Sequence, residues 1–293
     1  MSQDVARAPA LAFPTLSRAT KSTGGARKRR NWLDNVVRRC GGPCAVLTTS
    51  YFKWYLTMPV SRNRVNPAAT PSSGTAGAGR RYGGVDSQER QRQRKDKLVE
   101  AALIVFGQQG YHHSTVRDVC KQAQLTSRYF YESFDGMKAL FREVYNQVNR
   151  ELMQRTIVAL AACQPEPDLL AEAALRAFLQ YIGEDPLRAR MALVDALSID
   201  QEMSGLVEKA SEDFAQLLAS FMQQLFPRLE ETGLNVAILS MGLVGANIRV
   251  ATQWVNERCH TPQETVLRNL LSLFQAASAH ARRLHDALPA APN

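Results

Sequence analysis

Apolar positions fall into helical registers from Leu98 onward and into none that persists before it. Leu98, Ala101, Ala102, Val105 and Phe106 recur at the i, i+3, i+4, i+7 and i+8 spacing of one buried helix face. Ahead of them, Arg90 to Lys97 is mostly basic and Gln-rich. Asp86-Ser87-Gln88-Glu89 has the form of a helix start, a capping side chain followed three residues on by Glu. Gly107 lies inside this run and Gly110 ends it. Thr115 with Asp118 marks a second start, and Val116, Val119, Cys120 and Ala123 form the stripe behind it. Thr126 or Ser127 then caps a third, short helix whose Phe130 and Phe134 face inward. Two short helices, a turn of about three residues and a small Ala at their crossing point make a helix-turn-helix.

The rest of the chain keeps the helical period. Residues Met137 to Cys163 place Leu140, Phe141, Val144, Val148, Leu152 and Ile157 on one stripe, and Pro165 and Pro167 interrupt the pattern. Further amphipathic helices are predicted over Leu169–Ile182, Leu187–Leu197 and Glu202–Phe226, the last closed by Pro227. The final two, Leu234–Cys259 and Glu264–Leu284, are the most apolar. Val236, Leu239, Leu243, Ala246 and Val250 line one, and Leu267, Leu270, Leu271, Phe274 and Ala277 the other. Gly242, Gly245 and Ala246 permit another helix to approach closely. Two such helices would over-expose apolar surface on a monomer, and a symmetric four-helix interface between two copies relieves that. The fold class is all-α.

Charge changes the picture chiefly before residue 87. The 293 residues carry a net charge of +9. Residues 1–86 hold 14 Lys and Arg against 3 Asp and Glu, residues 87–143 hold 10 against 7, and residues 144–293 hold 12 against 17. The basicity therefore resides in a Gly-, Pro- and Ser-rich N-terminal extension, expected to be disordered, while the helical part is slightly acidic. The cluster Arg27-Lys28-Arg29-Arg30 suits phosphate neutralisation or a solvated tail. A natural start near Met58 is a further reading of this segment. A hydrophobic share of 45% is ordinary for a globular chain and excludes disorder throughout. No run of 18 apolar residues occurs, so no membrane-spanning helix is expected, and residues 1–30 offer no secretory signal. A soluble, cytoplasmic protein is the expectation.

Catalytic chemistry is thin. The 5 cysteines are too few and scattered for a disulfide scaffold. Cys40 and Cys44 have no nearby His to complete a zinc set, and the adjacent His112 and His113 diverge in a loop, so no metal and no cofactor are expected. Glycine-rich phosphate loops, nucleophile elbows and the H-E-x-x-H pattern are all missing from the sequence. An enzyme is not expected.

The residues from Thr115 to Phe134, TVRDVCKQAQLTSRYFYESF, followed by Leu140, resemble the DNA-binding region of the tetracycline-repressor (TetR) family, and the resemblance is specific over about residues 90–145. It implies an N-terminal three-helix helix-turn-helix DNA-binding domain at 87–136 and a C-terminal helical ligand-binding and dimerisation domain at 137–287, with a disordered tail at 288–293. Two positions depart from the family. Gln124 stands where the turn glycine is usual, and Met137 followed by Lys138 stands where a lysine is common.

In such a reader the start of the recognition helix enters the major groove. Ser127, Arg128 and Tyr129 are the exposed residues there. Arg128 is the base reader, since a guanidinium donates twice to guanine O6 and N7. The resemblance makes Tyr131 a phosphate-binding hydroxyl. Thr115, Thr126 and Lys138 sit at helix starts that favour phosphate, and Arg92, Arg94 and Lys95 clamp the backbone or reach a minor groove. The family also keeps a ligand cavity, for whose wall the candidates are Phe178, Tyr181, Met191, Phe214, Met222, Met241, Asn247, Arg249, Gln253 and Trp254. The expected function is a ligand-responsive transcriptional regulator, a repressor, bound to a near-palindromic double-stranded DNA operator as a homodimer through its last two helices and modulated by a small-molecule effector. The competing classes are an all-helical carrier or enzyme and a non-specific DNA binder acting through the basic tail.

Overall fold

A computed structural model describes residues 87–289, and these form nine α-helices with no strand among the described residues. The basic extension, its Arg27–Arg30 cluster, Cys40, Cys44, Met58, the capping Asp86 and most of the C-terminal tail lie outside the described residues. The helices are α1 (Ser87–Gln109), α2 (Val116–Ala123), α3 (Ser127–Tyr131), α4 (Met137–Ala161), α5 (Pro167–Glu184), α6 (Pro186–Leu193), α7 (Gln201–Leu225), α8 (Val236–Asn256) and α9 (Gln263–Asp286). Single turns of 3₁₀ helix at Tyr111–His113, Asp195–Ser198 and Leu229–Thr232 join some of them.

Local chemistry sets several boundaries. The α2 cap is reciprocal: Thr115 Oγ1 accepts from the Asp118 N–H, and Thr115 N–H donates to the Asp118 carboxylate. The turn after α2 passes through Gln124 at φ 56°, the left-handed region usually left to glycine. Gln124→Gly should therefore raise unfolding stability by about 0.5–1 kcal/mol in urea titration, the relief of strain exceeding the added entropy of the unfolded chain. Pro167 and Pro186 each occupy a first turn, where no N–H is needed, so Pro167 opens α5 rather than merely interrupting the chain. The third helix ends at Tyr131, and beyond it Phe134 is held by a backbone bond from its N–H to Phe130 O of 2.9 Å.

One apolar core runs from α1, α2 and α3 into the body. Leu98, Ala102, Phe106, Val119 and Phe130 meet Leu140 and Phe141 of α4, and the same cluster continues to Leu179, Met191 and Leu270. Helix α1 packs on α2 on one side and on α6 on the other. At the second contact Gly107 lacks the side chain that would collide: a Cβ there would lie 2.3 Å from Leu187 Cβ and 2.9 Å from Leu187 Cα.

Helix α8 departs from the sequence expectation. Its 21 residues reach a mean hydropathy of 1.3 over an 18-residue window, long and apolar enough by length and composition to cross a membrane. The reason is that Val236, Ile238, Leu239, Leu243, Val244, Ile248 and Val250 carry the average, while Ser240, Asn247 and Arg249 interrupt any unbroken apolar run. Most of that window is uncovered in the single chain.

Candidate functional site

Arg128 lies near the start of α3 with its side chain 84% exposed, tethered only by an i,i+4 pair to Glu132 at 3.0 Å. Such a pair is weak enough to open when a better acceptor arrives. Thr126 and Ser127 are exposed beside it, and Tyr131 is 63% exposed. Phe130, fully buried, holds α3 down, with Tyr131 edge-on to it at 5.2 Å between ring centroids. Tyr129 is half-buried, with the Arg94 guanidinium 4.4 Å from its ring centroid. Ser127 and Arg128 thus stand on one exposed edge as expected, whereas Tyr129, also expected to be exposed, is half-buried with Arg94 stacked on its ring.

The flanking cations are placed differently. Arg92 is exposed and pairs locally with Glu89 at 3.1 Å. Lys95 points to α4, where its Nζ lies 2.9 Å from Glu143 and over the Phe134 ring. Burial pushes the Glu143 carboxyl up, but Lys95 and Arg150 together bring it below its ordinary value. The Thr115 hydroxyl is spent on Asp118, to which it donates at 2.6 Å, and this bond is the main cause of the lowered Asp118 pKa. Sequence reasoning passed over Arg117 and Lys121, which are exposed on α2 and have no ion partner among the described residues. Their positions opposite Val116, Val119 and Cys120 were the available signal.

Lys138 faces the body instead of standing free. Its Nζ lies 2.7 Å from Asp200 and 2.5 Å from Glu202, and Arg142 joins Glu202 at 2.9 Å. Nearby, His112 Nε2 is 3.2 Å from Ser198 O. These contacts tie the helix-turn-helix side of the molecule to the N-terminus of α7. The hydrogen bonds from Lys138 hold both carboxyls below their ordinary values of 3.8 and 4.5, and they raise the ammonium. Lowered carboxyls stabilise the fold above their ordinary values, and that contribution is lost as pH falls through the lowered ones. The raised ammonium contributes below its ordinary value and loses its part only as pH rises through the higher one. Lys138→Met should therefore lose less melting temperature than the unaltered chain between about pH 5 and pH 3. Equal losses in the two proteins would remove this link from the stability of the fold.

A half-open cavity lies between α4, α5, α7, α8 and α9. Its wall is almost wholly aliphatic and aromatic, with Phe178 from α5, Phe214, Phe221 and Met222 from α7, Leu243 from α8 and Phe274 from α9. Three polar residues enter it: Thr156, Asn247 and Ser278. The Thr156 hydroxyl donates to Leu152 O at 3.0 Å, and the Ser278 hydroxyl lies within bonding distance of Gln275 O and Asp168 Oδ1. Asn247 Oδ1 is buried and has no hydrogen-bond partner among the described residues.

Of the ten residues expected on the wall, Phe178, Phe214, Met222 and Asn247 line this cavity and the other six lie elsewhere. Tyr181 is fully buried, its hydroxyl 3.1 Å from both Val148 O and Glu151 and its ring under Arg188 at 3.7 Å. Burial, then the Glu151 charge, pushes its pKa up. Met191 is fully buried in the main core. Met241 is 60% exposed. Arg249 and Gln253 form an exposed chain along α8, Arg249 to Gln253 to Glu257. Trp254 donates its indole N–H to Thr261 O at 2.8 Å beneath the α8–α9 connection. Helical spacing thus neither separated the exposed Met241, Arg249 and Gln253 from the inward residues nor showed which core Tyr181, Met191 and Trp254 reach.

Residues 98–144 match the family model described as bacterial regulatory proteins, tetR family. Among solved structures, the fatty acid degradation regulator FadR from Bacillus halodurans is similar with a TM-score of 0.55 at 14% identity, over 62% of this chain and 94% of that one. The transcriptional regulator FadR from Bacillus subtilis, solved in complex with stearoyl-CoA, gives 0.55 at 15% identity, over 61% and 96%. A TetR-like transcriptional regulator from Rhodococcus sp. RHA1 gives 0.52 at 18% identity, over 64% and 96%. At these identities the structural likeness establishes the fold. The helix-turn-helix of this chain thus lies largely within a segment that matches the model of bacterial regulatory proteins, tetR family, and its helical body is similar in fold to solved TetR-like regulators.

Proposed function

We propose that this protein is a ligand-responsive, DNA-binding transcriptional repressor, cytoplasmic and bound to a near-palindromic operator as a homodimer. Residues 87–136 read DNA, and residues 137–287 bind the effector and the second copy. The observation that carries this reading is the exposed edge of α3, where Arg128 stands free of the core while Phe130 anchors the helix. Arg117 and Lys121 on α2 take phosphates beside it, as the first helix of a helix-turn-helix crosses the backbone. Lys138, engaged with Asp200 and Glu202, serves the connection to the body rather than DNA.

Dimerisation is supported by α8 and α9, which leave Ile238 at 65%, Met241 at 60% and Leu273 at 47% exposure, with open space at Gly242 and Gly245. Effector control is supported by α7, which begins at the Lys138 link and supplies Phe214, Phe221 and Met222 to the cavity. Filling the cavity shifts α7 and with it the separation of the two readers, to the extent that the effector binds one conformer better. The solved relative that holds stearoyl-CoA favours an effector with a long apolar part.

The test is an electrophoretic shift with DNA from upstream of the protein's own gene. Two chains per duplex and persistence against excess random DNA are expected. Equal competition by random DNA would reject the reading.

A further inference from the structure

The effector cavity holds no charged side chain on its wall, and its polar groups are unequal. Thr156 and Ser278 already spend their hydroxyl protons on protein oxygens, whereas Asn247 Oδ1 is buried and accepts nothing. A buried carbonyl without a donor costs free energy that a ligand donor would recover. The side of the cavity where α5 meets α9 carries Glu166 and Asp168, with Arg282 at 4.0 Å from Glu166 as the nearby cation. An anionic group would find Asp168 3.3 Å from the Ser278 hydroxyl of the wall and no cationic side chain lining the cavity.

We propose that the cavity takes a neutral, mainly hydrocarbon molecule with one hydrogen-bond donor, such as a long-chain alcohol, whose hydroxyl donates to Asn247 Oδ1. This deepens the effector reading and rests on it. A carboxylate has no proton to give Asn247 and brings a charge that the wall does not neutralise. A thioester likewise offers no donor. Asn247 is thus the residue that sets ligand class, while Phe178, Phe214, Phe221 and Phe274 supply apolar contact.

Isothermal titration of the full chain with 1-decanol, decanoate and decyl methyl ether tests this at about pH 8, where the acid is ionised. Decanol is expected to bind at least tenfold more tightly than decanoate, and about three- to tenfold more tightly than the ether, which lacks the donor. In Asn247→Leu, decanol falls to within about twofold of the ether, whose affinity is unchanged. The comparison among the three ligands on the unaltered chain stands even if that variant folds poorly. Decanoate binding as tightly as decanol, no binding of any of the three, or an equal loss of alcohol and ether in Asn247→Leu would overturn the assignment. Adding decanol to the operator complex separates the two levels. The expected ligand order without any change in operator affinity retains the cavity chemistry and rejects effector control.

Discussion

Arg128→Ala is expected to lower affinity for the proposed operator by about 5- to 150-fold, from a loss of about 1–3 kcal/mol, and to change affinity for random DNA much less. The asymmetry follows from what the side chain does. A guanidinium facing a guanine edge makes two hydrogen bonds that exist only on the right sequence. Its competing partner in the free protein is Glu132, in a pair exposed enough to contribute little. Arg128→Lys should recover little of the loss, since an ammonium keeps the charge but not the paired donors. Fluorescence anisotropy on both duplexes measures the difference, and equal losses on the two would reassign Arg128 to phosphate. Arg94→Ala makes a useful contrast. With its guanidinium over the Tyr129 ring, it should weaken both duplexes about equally, by losing charge and loosening Tyr129 together.

Gly107→Ala is expected to destabilise the fold by about 1–3 kcal/mol, lowering the melting temperature by roughly 2–10 °C. Two effects compete at this position. Within a helix, Ala is better than Gly by about 1 kcal/mol, which favours the substitution. Against it, the new methyl group would lie 2.3 Å from Leu187 Cβ and 2.9 Å from Leu187 Cα, so the backbone of α6 itself must move. Because α1 carries the reader and α6 belongs to the body, that movement also changes how the two are docked. Gly205, inside α7 with no atom within 4 Å of where a Cβ would stand, supplies the comparison. Gly205→Ala should stabilise by up to about 1 kcal/mol. Destabilisation of the same size at both glycines would remove steric contact with Leu187 as the cause.

The legible parts of the sequence were those governed by neighbours in the chain. Thr115 with Asp118 announced the α2 cap, and the stripe through Val119 and Cys120 fixed which face of α2 is buried. Phe130 and Phe134 turned inward as their spacing requires, leaving Arg128 outside. What stayed hidden depends on partners distant in the chain. Lys138 read as a phosphate ligand because Asp200 and Glu202, some sixty residues on, are what turn it toward the body. Tyr181 and Trp254 read as cavity wall, but Glu151 and the Thr261 carbonyl take their polar atoms on other faces. Asn247 was informative for a physical reason, since a polar group on an apolar helix must find a partner, and its Oδ1 has none among the described residues. The cavity residues Leu217 and Phe221 could not be told from ordinary core by spacing.

The net charge of +9 invites the opposite account, in which the basic extension binds DNA and the helical part is incidental. Footprinting the upstream DNA with the full chain and with a chain lacking residues 1–86 decides between them. If the helix-turn-helix reads the operator, both proteins protect the same site, with half-sites about 34–36 Å apart along the duplex. The shortened chain then differs mainly by a shallower salt dependence, having fewer cations to displace counterions. Loss of the protected site together with residues 1–86 would contradict the account.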